Sequence, residues 1–117
     1  MRHNLAMHML GATAPGIDRL AVEIHTQACA RTRFRSKEIS RAGGLFDTLA
    51  GYREPVLMLW GEHDVTADPA ALAAQHRDLD ARRRIEVVAD AGHWVQYEQA
   101  ADVNTRLRTW LDPRLET

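Results

Sequence analysis

The stretch Pro55-Val-Leu-Met-Leu-Trp60 is a continuous apolar run of about one strand length, and Gly61-Glu62-His63-Asp64 follows it. A strand with one solvated face alternates apolar and polar residues. This run does not, so we expect both of its faces to be covered, as in a parallel sheet. Arg84-Ile-Glu-Val-Val-Ala89 predicts a second strand, and Ala91-Gly92-His93-Trp94 follows it.

A helix is predicted after each strand. Asp68-Pro69 is typical of a helix start, because an N-cap carboxylate accepts from free backbone N–H groups and proline lacks one at the first helical position. The inner face of this helix is predicted to hold Leu72, Ala73, His76 and Leu79. The second helix is amphipathic and is stopped by Asp112-Pro113. Its apolar face is predicted to hold Ala100, Val103, Leu107, Trp110 and Leu111.

The order strand, helix, strand, helix over residues 51–117 predicts the α/β class, with a β-α-β-α unit of a parallel sheet. Residues 1–50 are predicted to be helical instead. Apolar residues recur there at three- and four-residue spacing, at Leu5, Met9 and Leu10 and then at Ile17, Leu20, Ala21, Ile24 and Ala28. Asp18 lies in the first turn of the second of these helices, where a carboxylate suits the helix dipole. Cys29 lies inside the same helix, which favours a buried, unreactive thiol over a nucleophile.

The composition is that of one globular domain. The chain has 117 residues, of which 45% are hydrophobic and 26% charged, which argues against a fully disordered chain. A formal net charge of −1 argues against nucleic acid or a membrane surface as a partner. No apolar run approaches the roughly 18–20 residues that span a bilayer. A single cysteine forms no internal disulfide, which favours a cytoplasmic location.

Charge is distributed unevenly along the chain. Residues 1–53 hold eight Lys/Arg and four Asp/Glu, whereas residues 54–117 hold seven and twelve. This difference predicts two segments that meet near residues 51–55. The basic residues of the first segment concentrate at Arg31, Arg33, Arg35, Lys37 and Arg41. Such a run is typical of a solvated face, and attraction of an anionic substrate is the alternative interpretation.

Asp64 and His93 each follow a predicted strand. Because reactive residues of α/β sheets lie in loops past the carboxyl ends of strands, we expect these two side chains to meet at the sheet edge. A carboxylate there would hold the imidazole in one tautomer and stabilise the imidazolium that forms when the ring takes a proton. Asp68 and Asp90 are the alternative acids, but Asp68 is better explained as the helix cap and Asp90 follows the other strand.

Neither a cofactor nor a metal site is predicted. His3, His8, His25 and His76 show no pairing with a carboxylate at helical spacing. There is also no cluster of cysteine and histidine of the kind that binds zinc.

These motifs resemble a known family. The stretch that ends at Asp64, about thirty residues before Gly92-His93-Trp94-Val-Gln-Tyr-Glu98, is similar to the C-terminal part of the α/β-hydrolase fold. The second motif most resembles that of hydrolases that cleave carbon–carbon bonds in ring-fission products of aromatic compounds, and of related esterases. The match covers residues 54–112 and implies that Asp64 is the triad acid and His93 the general base. Residues 1–50 resemble the end of the helical cap domain of these enzymes.

The chain departs from this family because it has no nucleophile elbow, G-x-S-x-G. Its only serines, Ser36 and Ser40, lie in the basic run. We therefore expect the last part of a larger serine-type hydrolase, inactive alone, whose substrate when completed is a small-molecule ester or ketone. The alternative is a non-catalytic association module that dimerises or docks on an N-terminal partner, because a two-stranded unit exposes an unpaired edge. The resemblance further implies that Trp94 shapes a substrate pocket; covering the sheet edge is its other interpretation.

Overall fold

The computed structural model describes residues 2–10, 17–75, 82–112 and 114. The N-terminal part is helical, and two strands alternate with helices in the C-terminal part. In chain order the elements are α1 (Arg2–Asn4), a π-helix (Leu5–Met9), α2 (Arg19–Arg31), α3 (Lys37–Ala42), α4 (Leu45–Gly51), β1 (Val56–Gly61), α5 (Pro69–Gln75), β2 (Arg83–Val88), α6 (Val95–Glu98) and α7 (Ala100–Leu111).

Strands β1 and β2 form a two-stranded parallel sheet. Val56 lies opposite Arg83 at one end of the pair, and Gly61 lies opposite Val88 at the other. Both strands are shifted by one residue from their predicted bounds. Parallel strands need a crossover connection, and α5 lies in it. A small parallel sheet with helices is compatible with the predicted α/β class.

The expectation that both faces of β1 are covered holds only in part. Residues 56–60 are all half-buried, and Gly61 is the one buried residue of the strand. Burial does not alternate along β1, so its two faces are covered to a similar extent. In the part of the chain that the structure describes the sheet has two strands, so each strand also keeps one unpaired edge.

Two apolar clusters form the core. The first contains Val88, Ala91, Val95 and Val103, and the half-buried Leu59 packs against it. It joins the two strands to α6, α7 and the loop that precedes α6. The second contains Leu5, Leu10 and Ala21, with Met9, Ile17, Val22, Trp94 and Tyr97 packed against them. Because Trp94 and Tyr97 closely follow His93, the second cluster joins the N-terminal helices to the loop that carries this histidine.

Helix α5 begins as predicted. The Ala71 N–H donates to Oδ1 of Asp68 at 3.0 Å, so the Asp68 side chain caps the first turn, with Pro69 as the first helical residue. Leu72 and Ala73 of the predicted inner face are half-buried. His76 and Leu79, the other two members of that face, lie outside the described residues.

Helix α7 is held on the sheet by a charged side chain as well as by Val103. The Arg106 guanidinium donates to both carboxylate oxygens of Asp102, at 2.9 and 3.1 Å, and to Oε2 of Glu86 on β2 at 2.6 Å. Because the planar Arg106 guanidinium binds Asp102 on its own helix and Glu86 on β2, it fixes the rotation of α7 about its axis relative to that strand. The predicted apolar face is open at its far end, where Leu111 is 78% exposed, and the helix ends before Asp112 as expected.

The predicted inner face of α2 is only partly correct. Asp18 is the N-cap rather than a first-turn residue, since its carboxylate accepts from the Ala21 N–H at 2.8 Å. Ala21 is fully buried, but Leu20 is 57% exposed and Ile24 is 42% exposed. Helix α2 packs on the π-helix through the side that carries Ala21 and Val22, so the side that carries Leu20 and Ile24 stays open.

Cys29 is exposed, and the prediction of a buried thiol is wrong. Residues 27–31 are all exposed, because the last turns of α2 extend past the cluster on which its beginning packs. The Cys29 sulfur lies 3.8 Å from Nε2 of His25, one helical turn earlier on the same side of α2.

No helix in the described ranges is long and apolar enough to cross a membrane. The division into a helical segment over 1–50 and an α/β segment over 51–117 remains a prediction. The cytoplasmic location remains one as well.

Candidate active site

The loop after β1 folds back on itself and presents Asp64 to the sheet. The Glu62 N–H donates to the Val88 carbonyl at 2.9 Å, and the His63 N–H donates to the Ala91 carbonyl at 2.8 Å. The Asp64 N–H then donates to the carbonyl of Gly61 at 3.1 Å, which closes the turn. These bonds extend the β1–β2 pairing into the two loops. The loops of the predicted acid and histidine therefore lie side by side.

Gly61 allows this close approach. A Cβ atom at this position would overlap the backbone of Ala91 and Gly92, which are both buried. The contact is with backbone atoms, which cannot rotate away as the end of a side chain can. Glycine is thus required at the end of β1 for the loop of His93 to reach the loop of Asp64.

Glu98 holds the loop of His93 from the other side. Its Oε2 atom accepts a hydrogen bond from the Gly92 N–H at 2.7 Å, six residues earlier in the chain. Val95, at the start of α6, is buried in the first apolar cluster. The backbone on both sides of His93 is therefore fixed, while the His93 side chain itself remains 39% exposed.

Asp64 and His93 are brought together as predicted. Nδ1 of His93 lies 3.0 Å from Oδ2 of Asp64, whose side chain is 3% exposed. The other carboxylate oxygen, Oδ1, accepts from the Thr66 N–H at 2.8 Å and from the Thr66 hydroxyl at 2.7 Å. Both carboxylate oxygens of Asp64 therefore have hydrogen-bond partners, and part of the His93 imidazole is exposed to solvent.

These contacts determine the charge of the acid. Burial raises the pKa of the Asp64 carboxyl, but the hydrogen bonds from His93 and from the side chain and backbone of Thr66 outweigh it and hold this pKa below its ordinary value. Asp64 is therefore a carboxylate at neutral pH. A carboxylate can only accept, so the neutral imidazole carries its proton on Nδ1 and leaves the lone pair of Nε2 available as a base.

The two alternative acids lie elsewhere. Asp68 is used as the cap of α5. Asp90 is exposed, has a left-handed backbone with φ of 54°, and donates its N–H to Oε2 of Glu62 at 3.1 Å. Of the three acids that the sequence offered, Asp64 is the one that contacts the histidine.

Trp94 packs against the N-terminal helices. The backbone N–H of Trp94 donates to the Met9 carbonyl at 2.7 Å. The half-buried indole ring meets the rings of His25 and Tyr97 edge-on, with ring centroids 6.0 and 6.1 Å away. Tyr97 in turn donates its hydroxyl proton to Oδ1 of Asp18 at 2.8 Å. Residues of the N-terminal segment thus lie directly beside the loop of His93.

The bond between Tyr97 and Asp18 affects both side chains. The Asp18 carboxylate raises the pKa of the Tyr97 phenol. The Ala21 N–H, and after it the Tyr97 hydroxyl, lower the pKa of Asp18. Tyr97 and Glu98 lie in the motif that carries the family resemblance, but their contacts were not predicted, and neither was a role for Thr66. Thr66 did carry a local signal, since a donor two residues after an aspartate is the spacing of an Asx-turn.

Three exposed side chains offer possible metal ligands. Among the described residues, Glu62, His63 and Asp90 each have a ligand atom within 4.8 Å of those of the other two. Nε2 of His63 lies 3.7 Å from Oε2 of Glu62. The prediction that the chain has no metal site and no cofactor remains untested.

The basic run is solvated, as its composition predicted. Arg31, Arg33, Arg35, Lys37 and Arg41 are all exposed. Several of them line an open depression on the surface of α3 together with Phe34 and Glu38. Attraction of an anionic substrate by this run remains a prediction.

A comparison with characterised proteins gives one partial match. The chain is 35% identical over 57 residues to epoxide hydrolase 3 of Xenopus tropicalis. The match covers 49% of this chain and 16% of that protein, so the chain corresponds to a small part of the relative's length. No protein-family model matches the chain, and no solved structure does. The match is consistent with a relative of the hydrolase fold.

Proposed function

We propose that Asp64 and His93 are the acid and the general base of an α/β-hydrolase site whose nucleophile lies outside these 117 residues. The observation that carries this proposal is the 3.0 Å contact between a buried carboxylate and an imidazole on loops after adjacent parallel strands. The partial similarity to an epoxide hydrolase supports the same fold family. The finer assignment, a cap-bearing hydrolase related to enzymes that cleave carbon–carbon bonds and esters, rests on the motif around His93.

The proposed reaction depends on Nε2 of His93, the ring nitrogen that carries no proton. When a serine hydroxyl attacks a carbonyl carbon, its proton passes to Nε2 of His93, and Asp64 stabilises the imidazolium through Nδ1. The same proton then goes to the leaving group. In the second half of the reaction His93 takes a proton from water, which releases the acyl group and restores the serine.

The substrate class is an ester or a ketone with a scissile carbon–carbon bond. The name of the partial relative adds an epoxide to these candidates. The same acid and histidine pair serves such a reaction, because the pair removes a proton from water whichever bond is then hydrolysed.

We assign Trp94 to the wall of the substrate pocket. Its ring lies between the loop of His93 and the N-terminal helices, and it is half-buried against His25 and Tyr97. The resemblance to cap-bearing hydrolases implies a helical cap next to this loop. Residues 1–50 would then be the end of that cap.

The association module remains the second candidate, and a separate observation favours it. Large apolar side chains stay exposed, among them Leu20 at 57%, Phe34 at 69% and Leu111 at 78%. The strands are half-buried as well. Size-exclusion chromatography with light scattering tests it: dimers or larger species support association, and a 13 kDa monomer that unfolds cooperatively contradicts it.

The hydrolase proposal is tested by extending the chain. The reading frame upstream of Met1 is examined for an in-frame nucleophile motif, and the encoded longer protein is assayed on p-nitrophenyl acetate and on styrene oxide. We expect the 117-residue chain to hydrolyse both no faster than its His93→Ala variant. In the longer protein, His93→Ala should lower kcat by about 10³-fold or more. Equal rates for the longer protein and its His93→Ala variant would contradict the proposal.

A further inference from the structure

Thr66 contacts both Asp64 and His93. Its hydroxyl lies 2.7 Å from Oδ1 of Asp64 and 3.2 Å from Nδ1 of His93, and its N–H donates to the same Oδ1 at 2.8 Å. With the 3.0 Å bond between Asp64 and His93, the Thr66 hydroxyl closes a triangle of three polar groups. Asp64 is the buried member of the three, and each of its carboxylate oxygens is hydrogen-bonded to one of the other two residues.

We infer that Thr66 is a positioning residue for the acid–histidine pair, fixing the Asp64 carboxylate and selecting the tautomer of His93. This inference rests on the proposed function for its catalytic meaning. Its structural content, the orientation of the ring and the position of the ring proton, is measurable in the chain as it stands.

The donor and acceptor capacity of each group sets the direction of these hydrogen bonds. A hydroxyl has a single proton and a carboxylate oxygen can only accept, so Thr66 donates its proton to Oδ1 of Asp64. The hydroxyl oxygen can then act toward His93 only as an acceptor. Nδ1 of the neutral ring thus faces two acceptors, the Thr66 oxygen and Oδ2 of Asp64, and a proton on Nδ1 satisfies both. Nε2, the nitrogen needed as a base, is left unprotonated.

Threonine suits this position for a second reason. Its N–H and its hydroxyl both donate to one oxygen of Asp64, so Oδ1 is held twice and Oδ2 is left for His93. The branched Cβ restricts the rotation that would turn the hydroxyl away. Serine can make the same bonds with less restraint. Valine has the same shape but lacks the hydroxyl.

The test is ¹⁵N NMR of His93 in the purified 117-residue chain, at a pH where its ring is neutral. The ¹⁵N shifts of the two ring nitrogens report the ratio of the Nε2–H to the Nδ1–H tautomer. We expect Thr66→Val to raise this ratio by about threefold to tenfold, the change that loss of one hydrogen bond produces. Thr66→Ser should keep the ratio close to that of the unchanged chain.

Thr105→Val is the matched control, because the Thr105 hydroxyl donates to the Ala101 carbonyl at 2.9 Å on the exposed side of α7. It should leave the His93 tautomer unchanged. A ratio that stays the same in Thr66→Val overturns the inference, as does a ratio in Thr66→Ser that matches Thr66→Val. Thermal unfolding of each variant shows whether the fold is retained. The readout needs no nucleophile, so a failure of the hydrolase proposal would appear in the assay of the longer protein and not here.

Discussion

Nδ1 of His93 lies 3.0 Å from Oδ2 of Asp64, although 29 residues separate them in the chain. Two parallel strands produce this contact, because β1 ends at Gly61, opposite Val88 at the end of β2. The loops that follow leave the sheet at the same edge and share backbone hydrogen bonds. The contact between the buried carboxylate and the partly exposed imidazole is therefore a direct product of strand register.

The lowered pKa of Asp64 predicts how stability depends on pH. The unfolded chain has the ordinary aspartate pKa of about 3.9, whereas the folded value is lower. Between these two pKa values the unfolded state binds more protons than the folded state. The contribution of Asp64 to the free energy of unfolding is therefore complete above about pH 3.9 and is lost as the pH falls through the folded pKa.

Asp64→Asn should reduce the slope of unfolding free energy against pH in that range, as measured by urea unfolding followed by circular dichroism. Asp90→Asn is the control, since Asp90 is exposed and asparagine tolerates its left-handed backbone. Equal slopes in Asp64→Asn and in the unchanged chain would show that the carboxylate is not held by these bonds.

Substitution of Gly61 is predicted to separate the two loops. A Cβ atom in Gly61→Ala would overlap the backbone of Ala91 and Gly92, so we expect a loss of about 1–3 kcal/mol in unfolding free energy. NMR signals of His93 should shift as its loop moves.

Gly51→Ala provides the matched control, because nothing lies within 4 Å of a Cβ at Gly51, the last residue of α4. It should leave stability unchanged or raise it slightly, since alanine is the better helix former. A tolerated Gly61→Ala would mean that the loops are not in close backbone contact.

The contact between Tyr97 and Asp18 joins two parts of the chain that are 79 residues apart. Tyr97→Phe should raise the pKa of Asp18 toward its ordinary value, but not fully, because the Ala21 N–H is the larger cause of the lowering and still donates. A ¹³C titration of the Asp18 carboxyl measures this change.

Tyr52→Phe is the control for that experiment, since Tyr52 is half exposed and lies after α4, away from Asp18 in the chain. It should leave the Asp18 titration unchanged. If Tyr97→Phe also left the titration unchanged, the N-terminal helices would not be packed beside the loop of His93 in solution.

Much of the C-terminal part could be predicted from the sequence. The apolar run ending at Trp60 predicted the position and length of β1, and Asp68-Pro69 predicted the start of α5, because both depend on local effects: strand propensity and helix capping. The order of Asp64 and His93 after neighbouring strands predicted their meeting, because parallel strands present their carboxyl ends at one edge.

The remaining features depend on contacts that a linear pattern does not contain. The apolar spacing of α2 predicted an inner face, but which side of the helix is buried, and over how many turns, depends on the surface on which it packs. Leu20 lies on the open side of α2, and Cys29 lies beyond the packed turns. The role of Thr66 depends on the His93 loop as well as on its own position. Tyr97 and Asp18 find each other only through the packing of the second apolar cluster.

The central claim, that Asp64 holds His93 as a base with Nε2 free, is tested most directly by ¹⁵N NMR of His93 in the chain and in Asp64→Asn. The Nδ1–H tautomer should dominate in the unchanged chain and in Asp90→Asn. In Asp64→Asn the amide can donate to Nδ1, so the Nε2–H tautomer should become the major form. The same tautomer population in the unchanged chain and in Asp64→Asn would contradict the account.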